Sequence, residues 1–279
     1  MIDLHCHSDC SDGQYSPAVL LAKAVACGVR LLALTDHDTV AGLSALHQAA
    51  VGQSVTVIDG IEWSVRWKTL DVHVLGLKID PNHEEIRACI VRQEQLRIER
   101  AKKIALCLQA LGVKNAYDKA CHKAGHLRVG RPHFAQVLVD DGLVRDVQQA
   151  FQRYLVRGRA AYVITAWLSL DAVIAAVIAA GGQAVLAHPL KYKLTRLKLH
   201  ELIQAFKRSG GVGIEVVSGA MLMPQCLEMA RMCMKYDLFA SSGSDYHGDK
   251  SSIRLGGQAP LPSACAPIWH QWTERAGLA

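Results

Sequence analysis

The sequence predicts an α/β fold in which seven strands close, or nearly close, into a barrel that carries a helical insertion. Three observations lead there. Short apolar runs alternate with helix-like runs on both sides of the middle region, which implies a mainly parallel sheet. The number of strand runs suits a barrel. Between the fourth and fifth strands lies a long stretch with helical periodicity and no strand pattern.

Taken in order, residues 2–5 form a short apolar strand, and a helix follows from about 17 to 27. Ser16 suits its N-cap and Gly28 its C′ position. Residues 31–35 read as the second strand, with a helix over roughly 40–50. Residues 55–59 and 72–77 are the third and fourth strands. Residues 82–111 then carry a long helical pattern rich in Arg, Glu, Lys and Leu, with shorter helical pieces to about 157. The alternation returns with helix 170–180, strand 184–187, helix 199–209, strand 212–217, helix 225–236 and strand 238–241. The expected organisation is a barrel over 1–99 and 161–279, interrupted by a helical insertion over 100–160 that could cap the barrel mouth.

Composition narrows the function classes. At 279 residues the chain can bury a sizeable core. Hydrophobic residues make up 51% and charged residues 20%, as in ordinary globular proteins. The apolar stretch 172–187 is broken by Gly181, Gly182 and Gln183, so no membrane span is expected. No secretory leader is visible and the expected location is cytoplasmic. Nine cysteines, an odd number without a Cys-x-x-Cys pair, indicate neither a disulfide framework nor a zinc ribbon. The net charge of +6 favours an anionic substrate without amounting to a nucleic-acid signature.

In a parallel barrel, functional side chains collect at the C-terminal ends of strands. His5 and His7 end the first strand. Two residues apart in an extended segment, they project from one face and can reach one cation. Cys6 between them points the other way and is expected to pack. Asp12 lies in the loop that follows. His37, between Asp36 and Asp38, ends the second strand, and Glu62 follows the third. His73 lies in the fourth, His188 ends the fifth, and Asp245 and His247 follow the seventh. Each has a bland alternative as a packed or turn-satisfying residue. So many imidazoles and carboxylates in one cleft, however, would repel or stay unsatisfied without cations. A multinuclear site explains them together, and mixed imidazole and carboxylate donors suit Mn, Fe or Zn.

Asp3-Leu-His-Cys-His-Ser, Leu34-Thr-Asp-His-Asp-Thr, Gly60-Ile-Glu, His73-Val-Leu-Gly, Ala187-His-Pro and Gly243-Ser-Asp-Tyr-His together resemble the PHP (polymerase and histidinol phosphatase) family. The resemblance runs over nearly the whole chain and implies a distorted (β/α)7 barrel with a trinuclear metal site. It implies that His5, His7, Glu62 and Asp245 hold one ion. Glu62, His73 and His188 would hold a second, with Glu62 bridging, and Asp12, His37 and His247 a third. Three divalent ions are expected, Mn first, with Fe or Zn also fitting. Glu62, His188 and Asp245 are the expected catalytic residues.

The stretch Arg128-Val-Gly-Arg-Pro-His-Phe-Ala resembles the insertion of the family's nucleotide-directed branch. This implies removal of the 3′-phosphate from nucleoside 3′,5′-bisphosphates such as pAp. The alternatives are a 5′→3′ exonuclease on short oligonucleotides or a histidinol-phosphate-like phosphatase. A non-catalytic metal-stabilised module would need a degenerate ligand set, and no ligand position is substituted. Arg131, His133, Arg159 and Lys191 are the expected substrate contacts, since guanidinium grips phosphate bidentately. The expected partners are a small anionic nucleotide and possible short oligonucleotides, with no membrane and no obligate protein partner.

Overall fold

The computed structural model describes residues 1–273. Two compact units are formed: Met1–Cys89 with Leu168 onward, and Ile90–Trp167.

The first unit holds a seven-stranded sheet in sequential order β1 to β7. Its elements are β1 (Ile2–Cys6), α1 (Pro17–Ala26), β2 (Leu31–Leu34), α2 (Leu43–Ala50), β3 (Thr56–Trp67), β4 (Leu70–Leu77) and the start of α3 (Glu84–Ala110). The second unit continues α3 and adds α4 (Ala116–Ala124), α5 (Arg131–Asp140) and α6 (Val147–Ala150). The first unit resumes with α7 (Leu170–Ala179), β5 (Gln183–Leu186), α8 (Arg196–Arg208), β6 (Gly213–Ser218), α9 (Met223–Lys235), β7 (Phe239–Gly243) and α10 (His270–Thr273).

The sheet nearly closes on itself. Beyond β7, the Asp245 amide donates to His5 O at 2.8 Å and the His7 amide to Tyr246 O at 2.9 Å. Gly243 makes this seam possible. A Cβ there would stand 2.3 Å from the His5 Cβ, closer than any side chain could be accommodated.

The sheet is mainly parallel, as expected, with one reversed strand. β1, β2 and β3 pair in parallel, as do β5, β6 and β7, but β4 is antiparallel to both β3 and β5. The turn at Lys68-Thr69 is too short for a crossover helix, so the chain can only double back. Glu62 accordingly lies inside the long strand β3 rather than in a loop after it.

The barrel core is apolar. Leu4, Ala33, Leu75, Leu77, Val185 and Ile268 fill one cluster, and Leu20, Leu32, Leu34 and Leu46 pack under α1 and α2. In the helical unit, Ile104, Leu108, Phe134, Ala135 and Leu138 form a separate core. Among the described residues no helix is long and apolar enough to cross a membrane.

Candidate metal centre

Backbone register explains how distant residues arrive together. The β2–β3 pairing continues past Leu34 into a bridge between His37 and Glu62, with the Asp38 amide donating to Glu62 O at 2.9 Å. Because β4 runs backwards, its early residue His73 lies level with the C-terminal ends of its parallel neighbours. The Ala187 amide donates to His73 O at 3.1 Å, which brings His188 alongside. The reversed strand thus delivers a ligand that a strand-end rule for parallel sheets would have missed.

All nine expected ligands converge. Four groups of donor atoms lie within 4.8 Å of one another: His7, Asp12, His37 and His247; His5, His7 and Asp245; His5, Glu62 and His188; and His37, Glu62 and His73. The grouping differs in detail from the one the family resemblance implies, since His7 joins the Asp12 set and Glu62 is shared between His5, His37, His73 and His188.

Glu62 is the hub. It is buried, and its Oε1 lies 2.8 Å from His73 Nδ1 and 2.9 Å from His188 Nε2. Its Oε2 lies 3.2 Å from both His5 Nε2 and His7 Nε2 and 3.0 Å from His37 Nδ1, yet makes a hydrogen bond with none of them. The His5 and His7 Nε2 atoms face each other across 3.2 Å. Asp12 Oδ1 is buried and unbonded as well. Polar atoms left this way cost folding free energy. Their aim at shared points, rather than at one another, is what cation ligation requires, so the donor set fits divalent metals.

Electrostatics follow from this crowding. Burial opposes a charge on His5, but Glu215, Glu62 and Asp245 outweigh it and hold His5 well above the imidazole range. Burial likewise works against His7, which the adjacent Asp245 and Glu62 carboxylates, 3.4 and 3.2 Å from its Nε2, raise to about 10. Burial pushes His37 down to about 4 and lowers His188, leaving neutral rings with free lone pairs. Burial would raise Glu62 and Asp245, but the surrounding imidazoles, His5 first, keep both well below the usual carboxylate range.

The backbone at these positions is strained. Asp38, His188 and Asp245, following β2, β5 and β7, have φ of 53°, 29° and 53°. Non-glycine residues adopt such values only when surroundings impose them, commonly at functional sites. Tyr192 helps to impose one. Its hydroxyl donates to Ala187 O at 2.8 Å and accepts from the His73 amide at 2.8 Å. Gly13 serves the first loop, where a Cβ would meet His7 O at 2.3 Å.

Three supporting carboxylates escaped sequence reasoning. Glu215, fully buried on β6, lies 2.9 Å from His5 Nδ1 through Oε1 and accepts the His188 amide at 2.6 Å through Oε2. Such a partner fixes the His5 ring with Nε2 facing inward. Asp36 accepts from the Ser8 amide at 2.7 Å and from the Ser8 and Ser11 hydroxyls at 2.6 Å, anchoring the loop that carries Asp12. Asp3 accepts from the Ser244 and Gly256 amides, both at 2.8 Å. One signal was available: Glu215 is an acid in the buried run Ile214-Glu-Val-Val. Cys6, as expected, packs, with Sγ donating to Ala33 O.

The expected substrate contacts fall in different places. Lys191 sits in the turn after His188 and its Nζ pairs with Asp245. Arg131, His133 and Arg159 belong to the helical unit. There Arg131 lies over the Phe151 ring, and His133 Nδ1 accepts the Gly130 amide at 3.0 Å at the start of α5. Arg159 is exposed.

A PHP domain model matches residues 3–219. The chain is 38% identical to a 3′,5′-nucleoside bisphosphate phosphatase of Chromobacterium violaceum, over 98% of this chain and 97% of that protein. It is 39% identical to a 5′-3′ exoribonuclease of Haemophilus influenzae, over 97% of this chain and 98% of that one. A solved structure of an amidohydrolase from Chromobacterium violaceum, with bound sulfate and no metal, superposes at a TM-score of 0.94. The two are 37% identical, over 98% of this chain and 96% of that one.

Proposed function

The chain belongs to the PHP domain family, and on that premise we propose that it is a metal-dependent phosphoesterase that removes the 3′-phosphate from nucleoside 3′,5′-bisphosphates such as pAp. The product is the 5′-monophosphate. The observation that carries this reading is Glu62, a buried carboxylate surrounded by five imidazoles and left with an unbonded oxygen.

In this reading His5, His7, Glu62 and Asp245 hold one divalent ion, Glu62, His73 and His188 a second, and Asp12, His37 and His247 a third, Mn being the first choice. Ions there would neutralise phosphate charge and acidify water. The chain's own residues set the geometry. Glu215 fixes the His5 ring, burial keeps His37 and His188 unprotonated, and Lys191 places an ammonium beside Asp245 at the rim. That ammonium can meet the incoming phosphate as a point charge. Arg131, His133 and Arg159 are the helical unit's proposed phosphate contacts. Hydrolysis breaks the bond between phosphorus and the 3′-oxygen, forms one from water to phosphorus, and leaves the 3′-oxygen protonated. Nine free cysteines suit a reducing cytoplasm as the place of action.

The Haemophilus influenzae relative favours a second reading, stepwise 5′→3′ hydrolysis of short RNA at the same centre. Phosphate release from pAp by metal-loaded protein, abolished by chelation and restored by Mn, is the expected result. Faster turnover of a five-nucleotide RNA than of pAp would reverse the ranking, and no release from any nucleotide would end both readings.

A further inference from the structure

Past His188, the rim that carries the expected ligands continues into a strip of cations to which the proposed hydrolysis assigns no role. From Pro189 to His200 the chain carries Lys191, Lys193, Arg196 and Lys198 and no acid. Lys191 is committed to Asp245. Lys193, Arg196 and Lys198 are exposed, and none forms an ion pair with a carboxylate among the described residues. The first acid to follow, Glu201, is held by Lys68 at 2.7 Å.

The placement of these cations runs against local preference. Arg196 and Lys198 occupy the first turn of α8, the positive end of its dipole, where acids are favoured and none is present. Lys193 takes a left-handed φ of 51°. Residues that break local rules without a compensating contact in the fold are the ones to suspect of meeting something outside it.

The strip lies on the same face as the ligands. It leaves β5 directly after His188, and loops and helix starts that follow the parallel strands gather at their C-terminal ends. The β3–β4 hairpin reaches it from the other side, because Lys68 both pairs with Glu201 and lies 4.7 Å over the Trp67 ring. Leu197 adds apolar surface between the cations and is 72% exposed. Exposed cations that form no ion pair with a carboxylate, set in one run beside the rim, match what the backbone of single-stranded nucleic acid asks of a protein.

We propose that Lys193, Arg196 and Lys198 form a binding strip for the phosphodiester backbone of a single-stranded oligonucleotide whose terminal phosphate lies at the rim that carries His188 and Asp245. The strip gives one centre two substrate lengths. A mononucleotide engages the rim alone, and a longer strand engages rim and strip together. This rests on the phosphoesterase reading of the rim.

The test is the full-length triple variant Lys193→Gln/Arg196→Gln/Lys198→Gln, assayed on pAp and on a 5′-phosphorylated pentanucleotide RNA from about 50 to 200 mM salt. Each backbone phosphate neutralised on a single strand, by releasing its counterions, is worth about 0.7 in the slope of log affinity against log salt. The strip predicts a slope smaller by about two for the pentanucleotide, and a KM about tenfold higher at low salt. The pAp kinetics stay as in the parent protein. A pentanucleotide KM and slope that do not change, or a loss on pAp as large as that on RNA, would overturn the proposal. Fluorescence anisotropy of a labelled pentanucleotide reads the same slope without catalysis. If no phosphoester is cleaved, the rim reading fails while the strip is still judged. Binding to phosphatidylserine vesicles, with no binding to the RNA, would also overturn it.

Discussion

The barrel's ligand-bearing face and the helical unit of residues 90–167 solve opposite physical problems. The helical unit buries mostly what hydrophobicity dictates: Ile104, Leu108, Phe134 and Leu138 pack together, and its buried cations Arg97 and Arg100 lie over the Trp167 ring. Ion pairs such as Lys119 to Asp141 are exposed there and worth little. The barrel face buries His5, His7 and Glu62 side by side and leaves polar atoms unbonded. The first arrangement is stable as it stands. The second fits the proposed cation site, on which its stability should then depend.

The largest separation of the two should come from Glu62→Ala. Removing the shared carboxylate is expected to lower phosphate release from pAp by about 10³-fold or more, with bound metal falling when measured by elemental analysis. Amide hydrogen exchange in the helical unit should not change. Phe134→Ala is the converse. A fully buried aromatic in that core should cost about 3–5 kcal/mol of stability, read by denaturant unfolding, while the ligand set keeps its metal. Equal metal loss in both variants would erase the contrast.

A finer cut uses Glu215→Gln, which keeps the shape but weakens the grip on His5. Metal affinity should fall about 10- to 100-fold, seen by competition with a chelating dye. Metal removal itself should lower the melting temperature, and saturating ion at about 100 times its Kd should restore about 2.7 kcal/mol. The smallest effect is pH dependence in the chelated protein. His37 is depressed from 6.5 to about 4, so its contribution is present in the neutral form and is lost as pH falls through that window. Glu62 and Asp245, depressed by their imidazole neighbours, lose theirs at lower pH still. Melting temperature should therefore fall on acidification below pH 6.5, whereas above it the raised His5 and His7 act in the opposite direction. A flat profile between pH 6.5 and 4 would show that the face is not preorganised in this way.

The contrast also explains what the sequence disclosed. Strand and helix periods located every strand and the long helix α3, with bounds within a few residues except for the end of β3, because burial enforces them. His5, His7, His37, His188, Asp245 and His247 stood out because they end or follow apolar strands. The reversal of β4 was hidden, since alternation within a strand carries no direction and only the tight turn at Lys68 reports it. Glu62 was read as a loop residue for the same reason: nothing in Gly60-Ile-Glu tells that β3 continues to Trp67. The roles of Asp3, Asp36 and Glu215 depend on partners up to 253 residues away, which no local pattern encodes.

The β3–β4 hairpin has a kinetic consequence. Glu62 and His73 are separated by 11 residues and are joined by a ladder that needs no other part of the chain, whereas His5 and Glu215 are 210 residues apart. Hairpins form in about 1–10 μs, and contacts of long sequence separation come later. The hub carboxylate and one of its imidazoles can therefore meet while the rest of the barrel is still open, so that the remaining ligands assemble onto an existing half-site. The order in which the proposed ligands come together is in this sense written into the direction of a single strand.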